Sequence, residues 1–186
     1  MDEEQLRAIT IGELTPYATK VVISDYDPAW PDWFEQDRVR IAAALGPVAL
    51  SIEHVGSTSV PGLPAKPIVD ILLQVADTVA ESTYVPRLEA AGYALRVREP
   101  EWLEHRLLRS RGAPHDVNLH VFSPRYAGEE IARMLTFRDW LRHNEADRNL
   151  YAATKRELST RDWRYVQDYA EAKTEVVRRI LARAQA

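Results

Sequence analysis

Residues 68–75 read Ile-Val-Asp-Ile-Leu-Leu-Gln-Val, an almost uninterrupted apolar run. A strand of this kind has no solvent-facing side, so it belongs in the middle of a sheet covered on both faces. One carboxylate, Asp70, stands inside the run. Aspartate is disfavoured in strands and costly to bury without a partner. The chain must therefore form a layered structure whose central sheet is polar at one point. That point needs a metal, a cation or the open end of the sheet. A pair between Asp70 and Lys66, or with an arginine, is the plainer alternative.

The pattern around this strand fits such a sheet. Strands are expected over 20–24, 49–55, 93–98, 102–109 and 117–122, and helices over 33–45 and 79–91. The first helix presents Phe34, Val39, Ile41, Ala42 and Leu45 on one broad face and stops at Gly46-Pro47. From Gly128 onward the periodicity is helical, with helices expected over 128–146, 148–158 and 162–184. Alternating strands and helices followed by helices alone predict an α+β protein with an α/β-type core and a C-terminal helical layer. Residues 1–19 read as an arm or peripheral helix, and 20–186 as one domain with its sheet core ending near 125.

Composition excludes several classes of function. There is no cysteine among the 186 residues, which removes disulfides, thiolate zinc sites, iron–sulfur clusters and cysteine nucleophiles. The net charge of −4 argues against a generally basic nucleic-acid binder. The acidic start MDEEQLRAITIGEL has no export signal, and no apolar run approaches the roughly 20 residues of a membrane span, so a cytoplasmic location is expected. Charge is uneven, however: residues 133–186 hold 12 Lys/Arg against 8 Asp/Glu, and residues 1–132 hold 12 against 20. A basic C-terminal segment suits an anion site, a partner surface, or solvated helix faces.

Chemistry concentrates in three places. The first is the turn at 56–67, where Gly56, Ser57, Thr58 and Ser59 leave one strand before the next. Glycine admits close approach of a ligand to the backbone, and the hydroxyls add donors, so the turn can cradle a phosphate. It is neither a Walker loop nor a dinucleotide fingerprint, and hydroxyls that merely cap the backbone are the plainer reading. The second is Asp116-Val-Asn118-Leu-His120, whose polar residues fall on one strand face by period two. They mark a wet cleft or an exposed sheet face. Beside the Asp70 strand, Asn118 and His120 would reach the same site, while His105 and His115 read as surface residues. The third is a set of i,i+4 pairs in the basic segment: Tyr151 with Lys155, Tyr169 with Lys173, and Arg138 with Arg142. Each pair suits phosphate, and each is also ordinary helix surface.

The stretch Glu53-His-Val-Gly-Ser-Thr-Ser-Val-Pro-Gly-Leu-Pro-Ala-Lys-Pro-Ile-Val-Asp70-Ile-Leu-Leu resembles the signature of the GrpB family. Tyr26-Asp-Pro-Ala-Trp30, Asn118-Leu-His120, Phe137-Arg-Asp-Trp-Leu-Arg142 and both Tyr-x-x-x-Lys pairs agree with it, so the resemblance runs over about residues 20–184. The family is placed in the nucleotidyltransferase superfamily. That placement implies a mixed sheet with flanking helices, and a Gly-Ser turn before a strand bearing Asp-x-Asp. It also implies a third carboxylate on a later strand, the three holding two Mg²⁺ ions on a nucleoside triphosphate. Gly56-Ser57 matches the turn and Asp70 the first acid. Leu72 stands where the second acid belongs, and Asn118 and His120 where the third does. Similar domains occur fused to dephospho-coenzyme A kinase or to an acetyltransferase. This chain has no kinase P-loop, so a free-standing bacterial form is expected.

The resemblance thus implies a nucleoside triphosphate or other phosphate-containing small molecule on Gly56–Ser59. Asp70 and His120 would be catalytic or bind a divalent metal, Mg²⁺ or Mn²⁺, and imidazole suits Mn²⁺ or Zn²⁺ better than Mg²⁺. Lys66, Arg138, Arg142, Tyr151, Lys155, Tyr169 and Lys173 would face phosphate. Nucleotidyl transfer, a catalytically inactive nucleotide-, phosphate- or coenzyme-binding module, and a protein-interaction domain are the three readings. Neither nucleic acid nor membrane is an expected partner.

Overall fold

One mixed sheet of five strands carries the architecture: β1 (Ser51–Val55), β2 (Ile68–Gln74), β3 (Ala94–Glu99), β4 (His105–Ser110) and β5 (Asp116–Phe122), in the order β1-β2-β5-β4-β3. The computed structural model describes residues 3–13, 21–112 and 114–185. β2 is the inner strand that its composition demands. It pairs antiparallel with β1 and parallel with β5, in a register that sets Asp70 beside Asn118 and Leu72 beside His120. β4 runs antiparallel to both β5 and β3.

Alternation then sorts the two faces. Val69, Ile71 and Leu73 of β2 join Val117, Leu119 and Val121 of β5 on one side. There they pack under α2 (Trp30–Leu45) and α3 (Val85–Ala90), against Ile41, Leu45 and Leu88. The other face carries Asp70, Leu72, Asn118, His120 and Phe122. It is covered by α4 (Pro124–His143), α5 (Glu145–Ser159), α6 (Val166–Glu171) and α7 (Thr174–Ala184). Leu72, Phe122 and Val55 pack against Ala127 and Ile131 of α4, closing one end of this face. The remainder stays open as a cavity.

Several expected elements differ. Lys20 lies outside the described residues, and of 21–24 only Ser24 pairs, in an isolated bridge to Ala65. Helix α2 starts earlier, with Pro31 in its first turn, where the missing N–H costs nothing. Its Val39 is 54% exposed and off the apolar face. The strand expected at 49 begins at Ser51, and that expected at 79–91 as one helix is a short 3₁₀ turn followed by α3. Strand β4 starts at His105 because 102–105 form a tight hairpin turn, in which Leu103 and Glu104 both hold positive φ (57° and 52°). Such a turn favours Asn-Gly, so the sequence conceals it. Helix α4 begins at Pro124 because Ser123 Oγ caps it, accepting from the Arg125 N–H at 3.2 Å.

The long helix expected at 162–184 is two helices, broken where Lys173 N–H bonds Ala170 carbonyl in a tightened turn. The N-terminal residues form α1 (Glu3–Ile9), whose Leu6 is fully buried, and Thr10 bridges Val97 on the sheet edge. No helix among the described residues is long and apolar enough to cross a membrane.

Candidate functional site

The turn after β1 is built around Gly56. Its φ of 68° and ψ of −171° suit glycine, and a Cβ there would lie 2.9 Å from the Asp70 Cβ. The absent side chain is what lets Asp70 sit directly behind the turn. Ser57–Ser59 then form one 3₁₀ turn, in which Ser59 Oγ donates to the Gly56 carbonyl at 2.6 Å. Thr58 Oγ1 reaches the Ile68 carbonyl at 3.3 Å, tying the turn to β2. These hydroxyls brace the backbone, while Gly56, Ser57 and Thr58 still line the cavity.

The cavity has a volume of about 460 Å³, within the usual range for small-molecule sites. Asp70 stands on its wall with its side chain 29% exposed. Asn118 Nδ2 donates to Asp70 Oδ1 at 2.8 Å, as the parallel register requires. Burial raises the Asp70 pKa, opposed by the Asn118 hydrogen bond and by Lys66, Lys173 and Arg111.

Three lysines converge on this carboxylate from different elements. Lys155 of α5 is 2% exposed. Its ammonium donates to Ser57 Oγ at 2.9 Å and to the Pro64 carbonyl, and lies 4.7 Å from the Tyr151 ring centre. Burial and the neighbouring Lys173 push its pKa down to about 6. Lys66 and Lys173 flank the buried Tyr169 ring at 5.1 and 4.5 Å. Burial, with Lys173 beside it, lowers Lys66 to about 8, and burial lowers Lys173 also. Each Tyr-x-x-x-Lys pair is thus a cation–π contact in which the tyrosine ring supports its own lysine. Arg109 of β4 adds a fourth basic side chain to the lining. Its Nε is buried without a hydrogen-bond partner, and burial together with Arg111 lowers its pKa to about 10. Against four basic side chains the lining offers two carboxylates, Asp70 and Glu99, and Glu99 is bound to His105.

Ten of the thirteen expected residues take part in or touch this cavity. Gly56, Ser57, Thr58, Lys66, Asp70, His120, Lys155, Tyr169 and Lys173 line it, and Tyr151 lies behind Lys155 and Ser57. Burial pushes the Tyr151 hydroxyl up to about 12. Ser59, Arg138 and Arg142 are not brought to the lining. Arg138 bonds Glu53, Asp139 and the His54 carbonyl, and Arg142 donates to the Ser59 carbonyl at 3.0 Å. Both guanidiniums hold α4 against β1 and the turn.

Two histidines are not the surface residues their isolation in sequence suggests. His115 is buried, stacked on Trp33 and bonded through Nε2 to Asp37 at 2.6 Å on the opposite face of the sheet. His105 is 3% exposed and lines the cavity beside His120. Burial and the adjacent His105 and Arg109 push the His120 pKa down to about 3, so its ring is neutral at physiological pH. Sequence reasoning also passed over Arg109 and Trp102. The signal for Arg109 was present only as alternation along β4, which the hidden turn obscures, and Trp102 lies in that turn.

A resident metal cage does not fit these donors. Asp70 and His120 Nε2 are 3.9 Å apart, but among the described residues no three His, Asp or Glu side chains form a metal-binding group. Leu72 is fully buried under α4, and Asn118 turns its amide hydrogens toward Asp70. Mg²⁺ wants several hard oxygens in octahedral array, and the charged groups that act on Asp70 here are the cations Lys66, Lys173 and Arg111.

The whole sheet-and-turn architecture has relatives. The family model described as GrpB protein matches residues 20–183. The chain belongs to the GrpB family. A UPF0157 protein of Halalkalibacterium halodurans is 53% identical over 184 residues, covering 99% of this chain and 92% of that one. The crystal structure of the conserved protein GrpB from Enterococcus faecalis superposes with a TM-score of 0.74 at 30% identity, over 89% of this chain and all of that one. A chain named dephospho-CoA kinase from Mycolicibacterium paratuberculosis is 31% identical over 159 residues, 73% of this chain but 39% of its own length. The GrpB resemblance read from the signature stretch is therefore correct, and with it the α+β fold.

Proposed function

We propose that this GrpB-family chain binds a phosphate-bearing small molecule, with its phosphates against Lys66, Lys155, Lys173 and Arg109 and the Gly56–Ser57 turn. The observation that carries this reading is the convergence of four basic side chains, from the turn, from β4, from α5 and from the α6–α7 junction, on a cavity lined by two carboxylates, Asp70 bonded to Asn118 and Glu99 bonded to His105. Lysines held this way are destabilising on their own, since desolvation lowers the pKa of each one. A polyanion relieves that cost, and the gain appears as affinity. A nucleoside triphosphate is the ligand the superfamily resemblance suggests. Coenzyme A is a second probe, on the strength of the likeness to a chain named dephospho-CoA kinase. A soluble phosphate compound points to the cytoplasm, and the acidic body of the protein disfavours nucleic acid.

Thermal unfolding tests this. A ligand at 100 times its Kd stabilises by about 2.7 kcal/mol. For a chain of this length that is roughly 5–10 °C. Each nucleoside triphosphate, pyrophosphate and coenzyme A would be screened at millimolar concentration, with and without Mg²⁺ or Mn²⁺. Lys66→Met and Lys173→Met should each weaken the shift. No shift with any compound would refute the proposal.

Nucleotidyl transfer is the second reading, and His120 favours it. A neutral imidazole facing the cavity can accept a hydrogen bond from an attacking hydroxyl and orient it. Pyrophosphate release that survives Asp70→Ala and His120→Ala would place any such activity elsewhere.

A further inference from the structure

Behind Asp70 the cavity wall holds a row of side chains that phosphate binding does not need. Glu99 Oε2 lies 2.6 Å from His105 Nδ1, and His105 Nε2 lies 3.2 Å from His120 Nδ1. His120 Nε2 then faces Asp70 Oδ1 at 3.9 Å. Three neighbouring strands supply the row: Glu99 ends β3, His105 opens β4 directly opposite it, and His120 follows on β5. The two imidazoles are stacked, with centres 5.3 Å apart and planes 21° apart. His105 is further packed on Phe122 at 4.6 Å and edge-on to Trp102 at 5.1 Å. The His105 ring is enclosed, its side chain only 4% exposed, while His120 borders the cavity.

Hydrogen bonds have a direction, and here the carboxylate sets it. An ionised Glu99 only accepts, so the proton between them sits on His105 Nδ1. In a neutral His105 the Nε2 is then an acceptor. His120 must fill it from Nδ1, which leaves the Nε2 of His120 with its lone pair. At 3.9 Å that nitrogen makes no direct bond to Asp70, and it opens on the cavity.

We infer that Glu99 and His105 are positioning residues that hold His120 as its Nδ1–H tautomer and present its Nε2 as a hydrogen-bond acceptor, so that the ligand is a phosphate ester carrying a free hydroxyl. The ligand class rests on the phosphate reading above. The tautomer does not, because it follows from Glu99, His105 and His120 alone. A hydroxyl donating to Nε2 satisfies the lone pair. A ligand without that hydroxyl leaves the lone pair buried and unmatched, which a site of this kind discriminates against.

Ring ¹⁵N shifts of the uniformly labelled, unliganded protein test the relay. Both histidines are expected to carry their proton on Nδ1 with Nε2 unprotonated. A His120 protonated on Nε2, or a doubly protonated His105, overturns the inference. His105→Phe keeps the ring packing and removes the acceptor, so His120 should shift toward the Nε2–H form, whose proton points to Asp70. An unchanged His120 in that variant would show that His105 does not set its tautomer.

Binding supplies the second arm. Each ribonucleoside triphosphate is compared with its 2′,3′-dideoxy counterpart. At least one ribonucleotide should bind about tenfold more tightly than its counterpart, the worth of roughly one hydrogen bond, and His105→Phe should narrow the ratio. Equal affinities in the unaltered protein refute the hydroxyl-bearing class. Failure of both members of every pair to bind refutes the phosphate reading, while the ring shifts still decide the relay. Should His105→Phe fail to fold, the unaltered protein's shifts and affinity ratios decide both parts.

Discussion

Substituting Gly56 by alanine gives the most direct check on how tightly the turn and Asp70 are fitted. Two costs add. The backbone at φ 68° and ψ −171° lies in a region occupied essentially by glycine alone. A side chain there costs about 1–3 kcal/mol. The new Cβ would also sit 2.9 Å from the Asp70 Cβ and closer still to its carboxylate, so one side must retreat. Overpacking of this kind adds about 1–3 kcal/mol. The expected loss is therefore about 4 kcal/mol, or roughly 8–16 °C in Tm for a domain of this size.

Gly46→Ala is the control. Gly46 also has positive φ, 55°, but nothing lies within 4 Å of a Cβ built there. It should pay the backbone strain alone, about 1–3 kcal/mol. Urea and thermal unfolding of both variants give the difference, which measures the contact with Asp70. If Gly56→Ala loses no more than Gly46→Ala, Asp70 yields without cost and the close fit described above is wrong. Asp70→Ala in the Gly56→Ala background should recover about 1 kcal/mol or more through coupling between touching residues.

Other perturbations test the remaining parts. Leu72→Asp, which would restore an Asp-x-Asp pair, should lose about 3–5 kcal/mol because Leu72 is fully buried beneath Ala127 and Ile131; a stable variant that bound Mn²⁺ would overturn that packing. Stability should rise with pH above about 6, where Lys155 is neutral when folded but protonated when unfolded, so that the unfolded chain binds more protons. The slope is about 1.4 kcal/mol per pH unit, read from urea midpoints between pH 7 and 8, and Lys155→Met should remove most of it. A flat profile in the unaltered protein would refute the depressed lysine. Arg142→Ala should cost about 1–2 kcal/mol through the lost bond to the Ser59 carbonyl, yet change phosphate affinity less than about twofold; a tenfold loss by calorimetry would mean that the guanidinium reaches the ligand.

Much of the fold was legible because its signals are local. The apolar run of β2 could only be an inner strand, and the Gly-Ser-Thr-Ser turn before it announced a tight backbone. Alternation along Asp116–Phe122 correctly separated Asn118 and His120 from Val117, Leu119 and Val121. The Tyr-x-x-x-Lys spacings correctly paired each ring with its own cation. Where the reading departed, a local rule was overruled. Leu103 and Glu104 occupy a turn that favours Asn-Gly, so β4 seemed to start at Trp102 and the inward side of His105 was lost. The break before α7 carries no proline or glycine, and only packing around Tyr169 marks where Lys173 leaves the helix.

The sequence by itself therefore determined that one carboxylate sits in a covered sheet, behind a glycine turn, with basic helices to follow. It did so because side-chain alternation, turn chemistry and burial cost act within a few residues. Which residues meet that carboxylate was decided only by strand order and helix docking. Parallel pairing of β2 with β5 brings Asn118 to Asp70, and the β5-β4-β3 order lines up His120, His105 and Glu99. Docking of the helical layer carries Lys155 and Lys173 inward and turns Arg138 and Arg142 to backbone carbonyls. These neighbours are distant along the chain, and no spacing encodes a distance across a sheet.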